Sequence, residues 1–465
     1  MDKARPNVML ITIDSLRFDH LGCYGYSRDT SPNIDRLAAT GTLFSEAISS
    51  GGETPSAFPS ILASALPPTQ YNECKTIMQH QTALAEVLGK AGYSTAAFNS
   101  NPFLTCLYGY NKGFYKFEEG WDTPKIWIMR EWLVEKVSSR KPSQSLLQFL
   151  AKLDKYFESI SFTLGGHPTL PAEQISAQSL SWLKKQKGNF FLWLHYMSVH
   201  NPYMPPSRYL RQLNAKPVSR QKMSSLWRKL TIGPKALSKA EMMTVNDLYD
   251  ASIGYVDDAI GQLLDKVGKQ LENTIIIVTG DHGDEFGEHG KAGHMTLYDG
   301  IVHVPLVING PKVKVGAVVK TQVGLLDLAP TIIDLIGMDK VTAFHGESLL
   351  GVMKGKPKTK RGVVSTLPAI SAQEVIIAYR TPDWKYIRTE STTIPDEILT
   401  EEIYNLKDDP GETVNLAGRE TAAAEKFKAE AATAISELKK TKTEEFTTII
   451  EKERVKRKLG RLAKL

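Results

Sequence analysis

The chain has 465 residues, of which 42% are hydrophobic and 23% charged, which is ordinary for a globular protein and leaves room for one large domain and a smaller one. It has no run of about 18 apolar residues, so no membrane-spanning helix is predicted, and residues 1–15 lack a signal-peptide pattern. The net charge of +6 suits a small anionic substrate, and we expect no nucleic-acid partner. Three cysteines without metal-site spacing indicate a reduced, cytoplasmic protein.

Residues 5 to about 118 are predicted to alternate between strands and helices. The mostly apolar run 7–13 is typical of a buried strand, and Asp14 and Ser15 follow at its end. Open α/β sheets place their ligands at the carboxyl ends of strands, so Asp14 is a candidate site residue. Asp and Ser also cap helices well, so a helix N-cap is the alternative interpretation.

A glycine-rich turn at 51–53 precedes Thr54 and Pro55, and a short apolar helix is predicted from there. Unpaired backbone N–H groups at the start of a helix can bind an anion beside the Thr54 hydroxyl. The same residues could equally serve only as a helix cap.

Residues 121–187 have a helical pattern rich in Trp and Lys. We interpret them as an insertion over the edge of the sheet, either a lid above a substrate or a plain pair of packing helices. A buried strand predicted at 189–194 then delivers His195 and His200, and a helix is predicted at 242–267.

The β-branched run 274–278 predicts a strand buried on both faces of a parallel sheet. Gly280 lets the chain turn, and Asp281 and His282 follow at the carboxyl edge. An Asp beside a His on a rigid strand is half of a metal site. The alternative is a polar turn followed by a capped helix.

The carboxyl-terminal part differs in composition. Residues 352–362 form a Lys/Gly/Pro linker, and residues 363–417 predict a small antiparallel sheet. The helical tail 419–465 ends in a basic stretch that either contacts an anionic membrane surface weakly or stays solvated. We therefore divide the chain into an α/β domain at 1–355, a small α+β subdomain at 356–418, and the tail.

Several segments together resemble the sulfatase family of the alkaline-phosphatase superfamily. The resemblance covers most of residues 5–417 and implies a large three-layer α/β/α domain, a small C-terminal antiparallel-sheet subdomain and a helical tail. The matching segments are PNVMLITIDSLRFDHLGCYGY at 6–26, SPNIDRLA at 31–38, GYSTAA at 92–97, LHYMSVHNPY at 194–203, YVDDAIG at 255–261, GDHGDE at 280–285, DLAPT at 327–331, YNL at 404–406 and DPGE at 409–412.

The departures from the family pattern concentrate in its active site. The family signature is Cys/Ser-x-Pro-Ser-Arg, whose first residue is converted to formylglycine. That residue falls on Thr54 here, and the signature arginine falls on Phe58. The remaining departures are Ser15 for a second Asp, His282 for a common Asn, Ser100 and Pro102 near a usual Lys and His, and His294 for a later Lys.

This pattern is similar to the threonine-nucleophile branches of the superfamily, such as phosphodiesterases and phosphoethanolamine transferases. The resemblance implies that Asp14, Thr54, Asp281 and His282 hold one divalent metal ion. Two carboxylates, an imidazole and an alkoxide suit manganese, zinc or magnesium better than calcium. Thr54 would then be the metal-activated nucleophile that forms a covalent intermediate.

The resemblance assigns two more histidines to the reaction. His200 falls where the family keeps a catalytic histidine and would protonate the leaving oxygen, and His294 would contact the anion. We expect His195 to be a hydrogen-bonded core histidine. The other candidates are Glu285 and His289, which would orient the metal ligands or take a second metal, and His20, His80, His303 and His345, which we expect to be structural.

We therefore predict a metal-dependent hydrolase of sulfate or phosphate (di)esters that acts through Thr54 on a small anionic ester, carbohydrate-linked esters included. A threonyl ester lacks the elimination route that formylglycine offers, which favours phosphate diesters, phosphonates or a transfer reaction over sulfate monoesters. The alternatives are a transferase of phospho-groups to a sugar or lipid acceptor, and a non-catalytic protein on a degenerate scaffold. Missing membrane helices count against a lipid transferase, and the missing signature arginine favours the degenerate scaffold.

Overall fold

The computed structural model describes residues 5–120, 169–356, 361–368, 373–419 and 421–462. In these ranges the strands are β1 Asn7–Ile13, β2 Thr42–Ile48, β3 Ser94–Asn99, β4 Lys116–Glu119, β5 Phe190–Tyr196, β6 Thr274–Gly280, β7 Glu285–Phe286, β8 Ala292–Gly293, β9 His303–Asn309, β10 Ala317–Val319, β11 Val323–Gly324, β12 Val363–Pro368, β13 Glu374–Arg380, β14 Trp384–Ser391 and β15 Ile398–Asn405. The α-helices are α1 Pro32–Thr40, α2 Thr54–Ala63, α3 Tyr71–His80, α4 Leu84–Lys90, α5 Ala172–Leu183, α6 Ser207–Gln212, α7 Arg220–Ile232, α8 Lys239–Val267, α9 Asp299–Val302, α10 Leu328–Leu335, α11 Leu350–Met353 and α12 Ala422–Leu462.

A large mixed sheet forms the centre of the molecule. Its strand order is β10-β2-β9-β6-β1-β5-β3-β4, with β11 beside β2. The strands β6, β1, β5, β3 and β4 are parallel, whereas β9 runs antiparallel to both of its neighbours. The carboxyl ends of β1, β5 and β6 therefore meet at one edge, where the polar residues after each strand collect.

Alternate residues of the central strands enter two separate hydrophobic cores, as expected for strands buried on both faces. On one face Met9 and Ile11 pack with helices α1, α5 and α8. On the other face Val8 and Leu10 pack with α2, α4 and α10. This arrangement is the predicted three-layer α/β/α architecture.

The second sheet is antiparallel, with the order β12-β13-β14-β15, as predicted for residues 363–417. One of its faces packs on the large domain through β2, α9 and the segment before α9, with Ile48, Leu297 and Ile301 in the contact. Helix α12 covers the other face through Ala424, Phe427, Ala431 and Ile435. The predicted helical tail therefore begins as a structural cover of this sheet.

A buried ionic cluster joins the small sheet to the large domain. The Asp299 carboxylate accepts hydrogen bonds from Arg380 Nη2 at 2.8 Å and from Lys385 Nζ at 2.6 Å. Lys385 is fully buried and also lies 2.7 Å from Glu412 Oε1. Burial raises the pKa of Asp299, but the charges of Arg380 and Lys385 outweigh it and hold that pKa well below its usual range.

Some predicted boundaries were wrong by a few residues. Helix α8 starts at Lys239 and not at residue 242, because Ser238 and Glu241 form a capping box there. Helix α11 occupies the start of the predicted linker 352–362, of which residues 357–360 lie outside the described ranges.

Most of the predicted insertion 121–187 also lies outside the described ranges, which resume at residue 169. Its described part contains α5, whose Ile175, Trp182 and Leu183 are buried in the first core against α8 and β5. The lid and the packing-pair interpretations of residues 121–187 both remain predictions. None of the helices in the described ranges combines the length and apolarity that crossing a bilayer requires.

Candidate active site

Two carboxylates lie side by side at the carboxyl edge of the large sheet. Because β1 and β6 are parallel with Ile13 opposite Gly280, the next residue on each strand is an aspartate. Asp14 and Asp281 are both fully buried, as is His282. One ligand atom from each of these three residues lies within 4.8 Å of the others, which is the spacing of a shared metal ion.

The Thr54 side chain points at this pair from the first residue of α2. Its Oγ1 lies 3.1 Å from Asp14 Oδ2 and 3.0 Å from Asp281 Oδ2. His282 Nε2 is 3.5 Å from the same hydroxyl, and its Nδ1 lies 2.9 Å from the Gly283 carbonyl oxygen. That bond fixes the proton on Nδ1 and leaves Nε2 free to bind a metal. The four residues predicted as metal ligands therefore converge on one point.

The small sheet positions the loop that carries Thr54. Strand β12 forms a bridge between Thr366 and Gly51, and the Gly52 N–H donates to the Thr366 carbonyl at 3.2 Å. The Thr366 N–H in turn donates to the Ser50 carbonyl at 3.0 Å. The C-terminal sheet is thus part of the scaffold of the site, a relationship that the sequence did not indicate.

Ser15, in place of a second aspartate, contributes its backbone instead of a carboxylate. Its φ of 58° lies in the left-handed region, an unusual conformation for a non-glycine residue. In that conformation its N–H donates to Asp281 Oδ1 at 3.2 Å, and its hydroxyl donates to Asp14 Oδ1 at 3.0 Å. Ser15 therefore orients both carboxylates without adding a charge.

Asn101 is a site residue that the sequence reasoning missed. Its Nδ2 lies 3.0 Å from Asp14 Oδ2 and 3.3 Å from Thr54 Oγ1, and the residue is buried. The signal was present in the polar run Asn99-Ser100-Asn101 at the carboxyl end of β3. The family pattern places other residues at Ser100 and Pro102, and Asn101 lies between these two positions.

His195 is a hydrogen-bonded core histidine, as expected. It is fully buried with Nδ1 2.9 Å from Thr12 Oγ1. Its Nε2, however, lies 3.3 Å from Asp14 Oδ2, so it belongs to the surroundings of the site. The sequence could not show this, because the contact depends on β5 being the direct neighbour of β1, with Thr12 opposite His195.

Phe58 fills the position that the family signature gives to arginine. Its fully buried ring packs edge-on against His195, with ring centroids 5.0 Å apart. Trp193 and Tyr110 surround the ring at centroid distances of 5.4 and 6.4 Å. An apolar cluster therefore stands where sulfatases place a guanidinium.

Three histidines face one another beside Thr54. The ring of His294 lies 4.6 Å from that of His282 and 5.3 Å from that of His200, measured between centroids. His294 Nδ1 is 2.9 Å from Asp284 Oδ1, and Asp284 Oδ2 accepts a hydrogen bond from Tyr203 at 2.7 Å. The two histidines assigned to the reaction are thus neighbours of the predicted metal ligands.

The other candidate residues, Glu285 and His289 among them, lie outside this cluster of histidines. Glu285 accepts a hydrogen bond from Thr296 Oγ1 at 2.9 Å, and His289 contacts both Glu285 and the Gly411 carbonyl oxygen. None of these contacts reaches the metal-ligand group. The structural assignments fit the contacts of three others, which are His20 with Asp250, His303 with the Ser45 carbonyl oxygen, and His345 with Glu445.

The electrostatics of the aspartate pair fit a bound cation. Burial and the neighbouring Asp14 raise the pKa of Asp281. Burial alone would also raise the pKa of Asp14, but the charge of His200 and the contact with His195 hold it well below its usual value. Two buried carboxylates repel each other unless a positive charge lies between them. The donor set of two carboxylates, one imidazole and a hydroxyl therefore fits a divalent metal ion.

Unpaired polar atoms occur on the two chain segments that carry Thr54 and Asn101. Among the described residues, Glu53 Oε1, Asn99 Nδ2 and Ser100 Oγ are buried and have no hydrogen-bond partner. Burial raises the pKa of Glu53 to about 7, and the charge of His294 opposes the rise. Buried polar atoms in folded proteins are almost always paired, so the unpaired atoms on these segments are candidates to bind a ligand or a water molecule.

Comparison with known proteins identifies the family to which the chain is similar. The family model for Sulfatase matches residues 6–338, and the model for the N-sulphoglucosamine sulphohydrolase C-terminal region matches residues 287–441. The choline-sulfatase of Rhizobium meliloti (strain 1021) is 24% identical over 456 residues, covering 90% of this chain and 83% of that protein.

Two solved structures share the fold over nearly the whole chain. The phosphonate monoester hydrolase of Agrobacterium radiobacter superposes with a TM-score of 0.66 at 20% identity, covering 94% of this chain and 96% of its own. A protein in complex with its substrate D-glucosamine-2-N,6-O-disulfate gives the same TM-score and identity, covering 94% and 98%.

The first family model alone spans well over half of the chain, and it includes the strands that carry Asp14 and Asp281. The chain therefore belongs to the sulfatase family, within the alkaline-phosphatase superfamily, and is a sulfatase-like hydrolase of sulfuric or phosphoric esters.

Proposed function

We propose that Thr54 is the nucleophile of this hydrolase and that Asp14, Asp281, His282 and Thr54 itself hold one divalent metal ion. The position of Thr54 Oγ1, about equally far from an oxygen of each aspartate, carries the proposal. Bound there, the ion would lower the pKa of the Thr54 hydroxyl and neutralise charge on the ester. Manganese, zinc or magnesium suit this donor set better than calcium.

Thr54 and His200 would carry out the nucleophilic attack and the proton transfers. Thr54 Oγ, as the alkoxide that the ion would stabilise, attacks the phosphorus or sulfur atom, the bond to the leaving alcohol breaks, and His200, which enters this step with a proton on Nε2, gives that proton to the alcohol. The His200 Nδ1 contacts the Asn201 carbonyl oxygen, which leaves Nε2 for proton transfer. Water then attacks the phosphorus or sulfur atom of the Thr54 ester, His200 accepts the proton of that water, and the bond to Thr54 Oγ breaks, which returns both residues to their starting states.

Several hydrogen-bond donors would hold the oxygens of the ester. Asp284 orients His294 through Nδ1, so that the other ring nitrogen can face the anion. The unpaired Asn99 Nδ2 and Ser100 Oγ are donors on the chain segment that ends at Asn101. They stand near the positions from which the signature Lys and His are missing. We propose that they bind the ester's non-bridging oxygens in their place.

The proposed nucleophile favours phosphorus esters. A threonyl ester cannot expel its group by the elimination that a formylglycine diol permits, so water must attack phosphorus or sulfur directly. We therefore propose phosphate diesters or phosphonates as the preferred substrates, and sulfate esters as the second candidate. The names of similar proteins include both a phosphonate monoester hydrolase and a choline-sulfatase, and one is bound to a sulfated glucosamine. A carbohydrate-linked ester is therefore within the proposed range.

Hydrolysis of an aryl sulfate, an aryl phosphate diester and an aryl phosphonate tests the proposal. Metal-free protein is refilled with manganese, zinc, magnesium or calcium, and Thr54→Ala and Thr54→Ser are compared with the unmodified protein. We expect metal-dependent turnover of a phosphorus ester, lost in Thr54→Ala and partly retained in Thr54→Ser. Turnover that survives Thr54→Ala would overturn the nucleophile, and metal binding without any turnover would favour a transferase or a binding protein.

Other predictions remain proposals. We propose a cytoplasmic location, supported by three cysteines that are all free in the described residues. We also propose that the chain divides into an α/β domain, a small subdomain and a tail, with boundaries after residues 355 and 418.

For the basic end of the tail we propose weak contact with an anionic membrane surface. Binding to vesicles with and without anionic lipid, compared between the full chain and Lys/Arg→Gln variants of residues 452–464, tests this contact.

A further inference from the structure

A tryptophan on α7 holds the chain segment that follows His200. Asn201 is the next residue after His200, and its side-chain Oδ1 lies 3.0 Å from Trp227 Nε1. An indole N–H can only donate, so this contact fixes which way round the Asn201 amide lies. The backbone carbonyl oxygen of the same asparagine contacts His200 Nδ1. Trp227 is therefore linked to the proposed proton donor through a single residue.

The sequence of α7 places Trp227 on the inner face of the helix. The helix begins after Ser219, whose side chain caps it. Apolar residues then recur three and four positions apart, which puts them on one face. These residues are Met223, Leu226, Trp227 and Leu230. The other three are buried in the first core, and Trp227 is half-buried. The core therefore anchors α7, and the indole lies beside the anchored residues.

A small apolar cavity lies between α7, α8 and the segment after His200. Pro202 and Tyr203 line it on one side, and Leu226 and Trp227 line it on another. Atoms that face a cavity lose packing contacts on that side. The packing between α7 and this segment is therefore incomplete, and the hydrogen bond from Trp227 contributes directly to holding Asn201 in place.

Helix α7 also borders the segment that carries the second histidine assigned to the reaction. It packs against β8, and His294 follows β8 directly. Tyr203 donates to Asp284 Oδ2 at 2.7 Å, and Asp284 Oδ1 is 2.9 Å from His294 Nδ1. The ring centroids of His200 and His294 are 5.3 Å apart. One helix therefore contacts both segments that bear these histidines.

We propose that Trp227 is a positioning residue for the proton donor. Its indole N–H holds Asn201, and the Asn201 carbonyl oxygen in turn keeps His200 oriented so that Nε2 faces the leaving oxygen. This inference rests on the proposed function, in which His200 protonates the leaving alcohol. Trp227 acts through His200 and not on the reacting atoms. Its contribution should therefore grow as the alcohol becomes a poorer leaving group and depends more on receiving a proton.

A series of aryl esters tests this inference through their leaving groups. The 4-nitrophenyl, 4-chlorophenyl and phenyl esters, made both as phenylphosphonates and as sulfates, differ in how readily the phenol leaves without a proton. The ratio kcat/KM reports the step in which the phenol leaves. In Trp227→Phe, which keeps an aromatic ring but has no N–H donor, we expect kcat/KM to fall by about tenfold or more for the phenyl ester and by less than about threefold for the 4-nitrophenyl ester.

Trp384→Phe and His200→Gln are the comparison variants. Trp384 is also half-buried, but it lies on β14 with its ring centroid 5.9 Å from that of Phe427. Its substitution should leave the dependence on the leaving group unchanged, whereas His200→Gln should steepen that dependence more than Trp227→Phe does. A steep dependence in His200→Gln with an equal loss on all esters in Trp227→Phe would overturn the role of Trp227 alone. An unchanged dependence in His200→Gln would overturn the proposed proton donor and this inference with it.

Nitrogen-15 NMR of the tryptophan indoles tests the hydrogen bond without reference to activity. Trp227→Phe identifies the Trp227 signal, and Asn201→Ala, which removes the acceptor, should shift that signal and speed the exchange of its proton with solvent. The Trp384 signal should stay in place. A Trp227 signal that is the same in Asn201→Ala and in the unmodified protein would contradict the link. A thermal melt identifies a variant that has failed to fold, and if Trp227→Phe does so, Asn201→Ala takes its place in the ester series, with the same expected result.

Discussion

The ring of Phe58 meets that of His195 at an interplanar angle of 85°, with the centroids 5.0 Å apart. His195 Nε2 in turn lies 3.3 Å from Asp14 Oδ2, so an apolar side chain of α2 packs against the histidine that neighbours a proposed metal ligand. Sulfatases place an arginine at the Phe58 position. The substitution has therefore been accommodated by a packed aromatic cluster and not left as a gap.

Restoring the signature with Phe58→Arg should destabilise the protein without creating sulfatase activity. The ring is fully buried among Trp193, Tyr110 and His195, so an arginine there would replace aromatic packing with a buried charge. We expect a loss of about 3–5 kcal/mol in the free energy of unfolding, from the lost packing and the buried charge. Phe58→Leu, which keeps the site apolar, should cost about 1 kcal/mol. Urea unfolding measures both, and an unchanged midpoint for Phe58→Arg would show that the cluster can open.

Asn101→Ala should slow turnover while leaving the fold intact. The amide is a donor to both Asp14 and Thr54, and its loss frees the Thr54 hydroxyl to rotate away from the ester. We expect kcat to fall by about 10- to 100-fold, the usual range for removing a hydrogen-bond partner that supports a metal ligand. Steady-state kinetics beside Asn111→Ala, an exposed amide, provides the measurement and its control. Equal rates in the two variants would remove Asn101 from the site.

His195→Gln should weaken metal binding because His195 supports the Asp14 carboxylate. Thr12 holds the ring through Nδ1, so Thr12→Val, with a similar shape, should act in the same direction and more weakly. His195 Nε2 lies 3.3 Å from Asp14 Oδ2, and loss of a residue that supports a metal ligand from outside typically costs about 10- to 100-fold in metal affinity. Competition for the metal with a chelating dye measures this without reference to activity. An affinity equal to that of the unmodified protein would return His195 to a purely structural role.

Asp299→Asn should destabilise the protein at neutral pH and much less in acid. The Asp299 pKa is depressed in the folded state, so its stabilisation is present above the unfolded value of about 3.9 and is lost as pH falls through the lower folded value. Because the substitution leaves Arg380 and Lys385 without their shared partner, we expect a loss of about 3–5 kcal/mol at pH 7. The difference from the unmodified protein should shrink below about pH 4.

Urea unfolding at pH 7, 5 and 3.5 checks that dependence. The exposed Asp396→Asn is the control and should change stability by no more than about 0.5 kcal/mol at any of these values. A constant difference between Asp299→Asn and the unmodified protein across the pH range would contradict the ionic origin of the effect.

The sequence predicted best where the pattern was strongest. The runs at 7–13 and 274–278 are short, mostly apolar and rich in β-branched residues, so both strands could be expected. An aspartate follows soon after each run, so the proximity of Asp14 and Asp281 at one edge of the sheet could be expected as well. The proximity of His195 to Asp14 was missed for a different reason. His195 becomes a neighbour of Asp14 only through strand order, and strands that pair although they are far apart in the chain leave no local pattern.

The position of β1 has a consequence for how the protein is made. This strand lies between β5 and β6, so its register, with Ile13 opposite both Tyr196 and Gly280, is completed only when residues far along the chain have arrived. During synthesis the backbone N–H and C=O groups on both edges of β1 stay unpaired until β5 and β6 have been made. Unpaired strand edges promote aggregation. The two aspartates therefore come together late, and the high separation of the contacts predicts slow refolding in which metal affinity appears only with the last, global step.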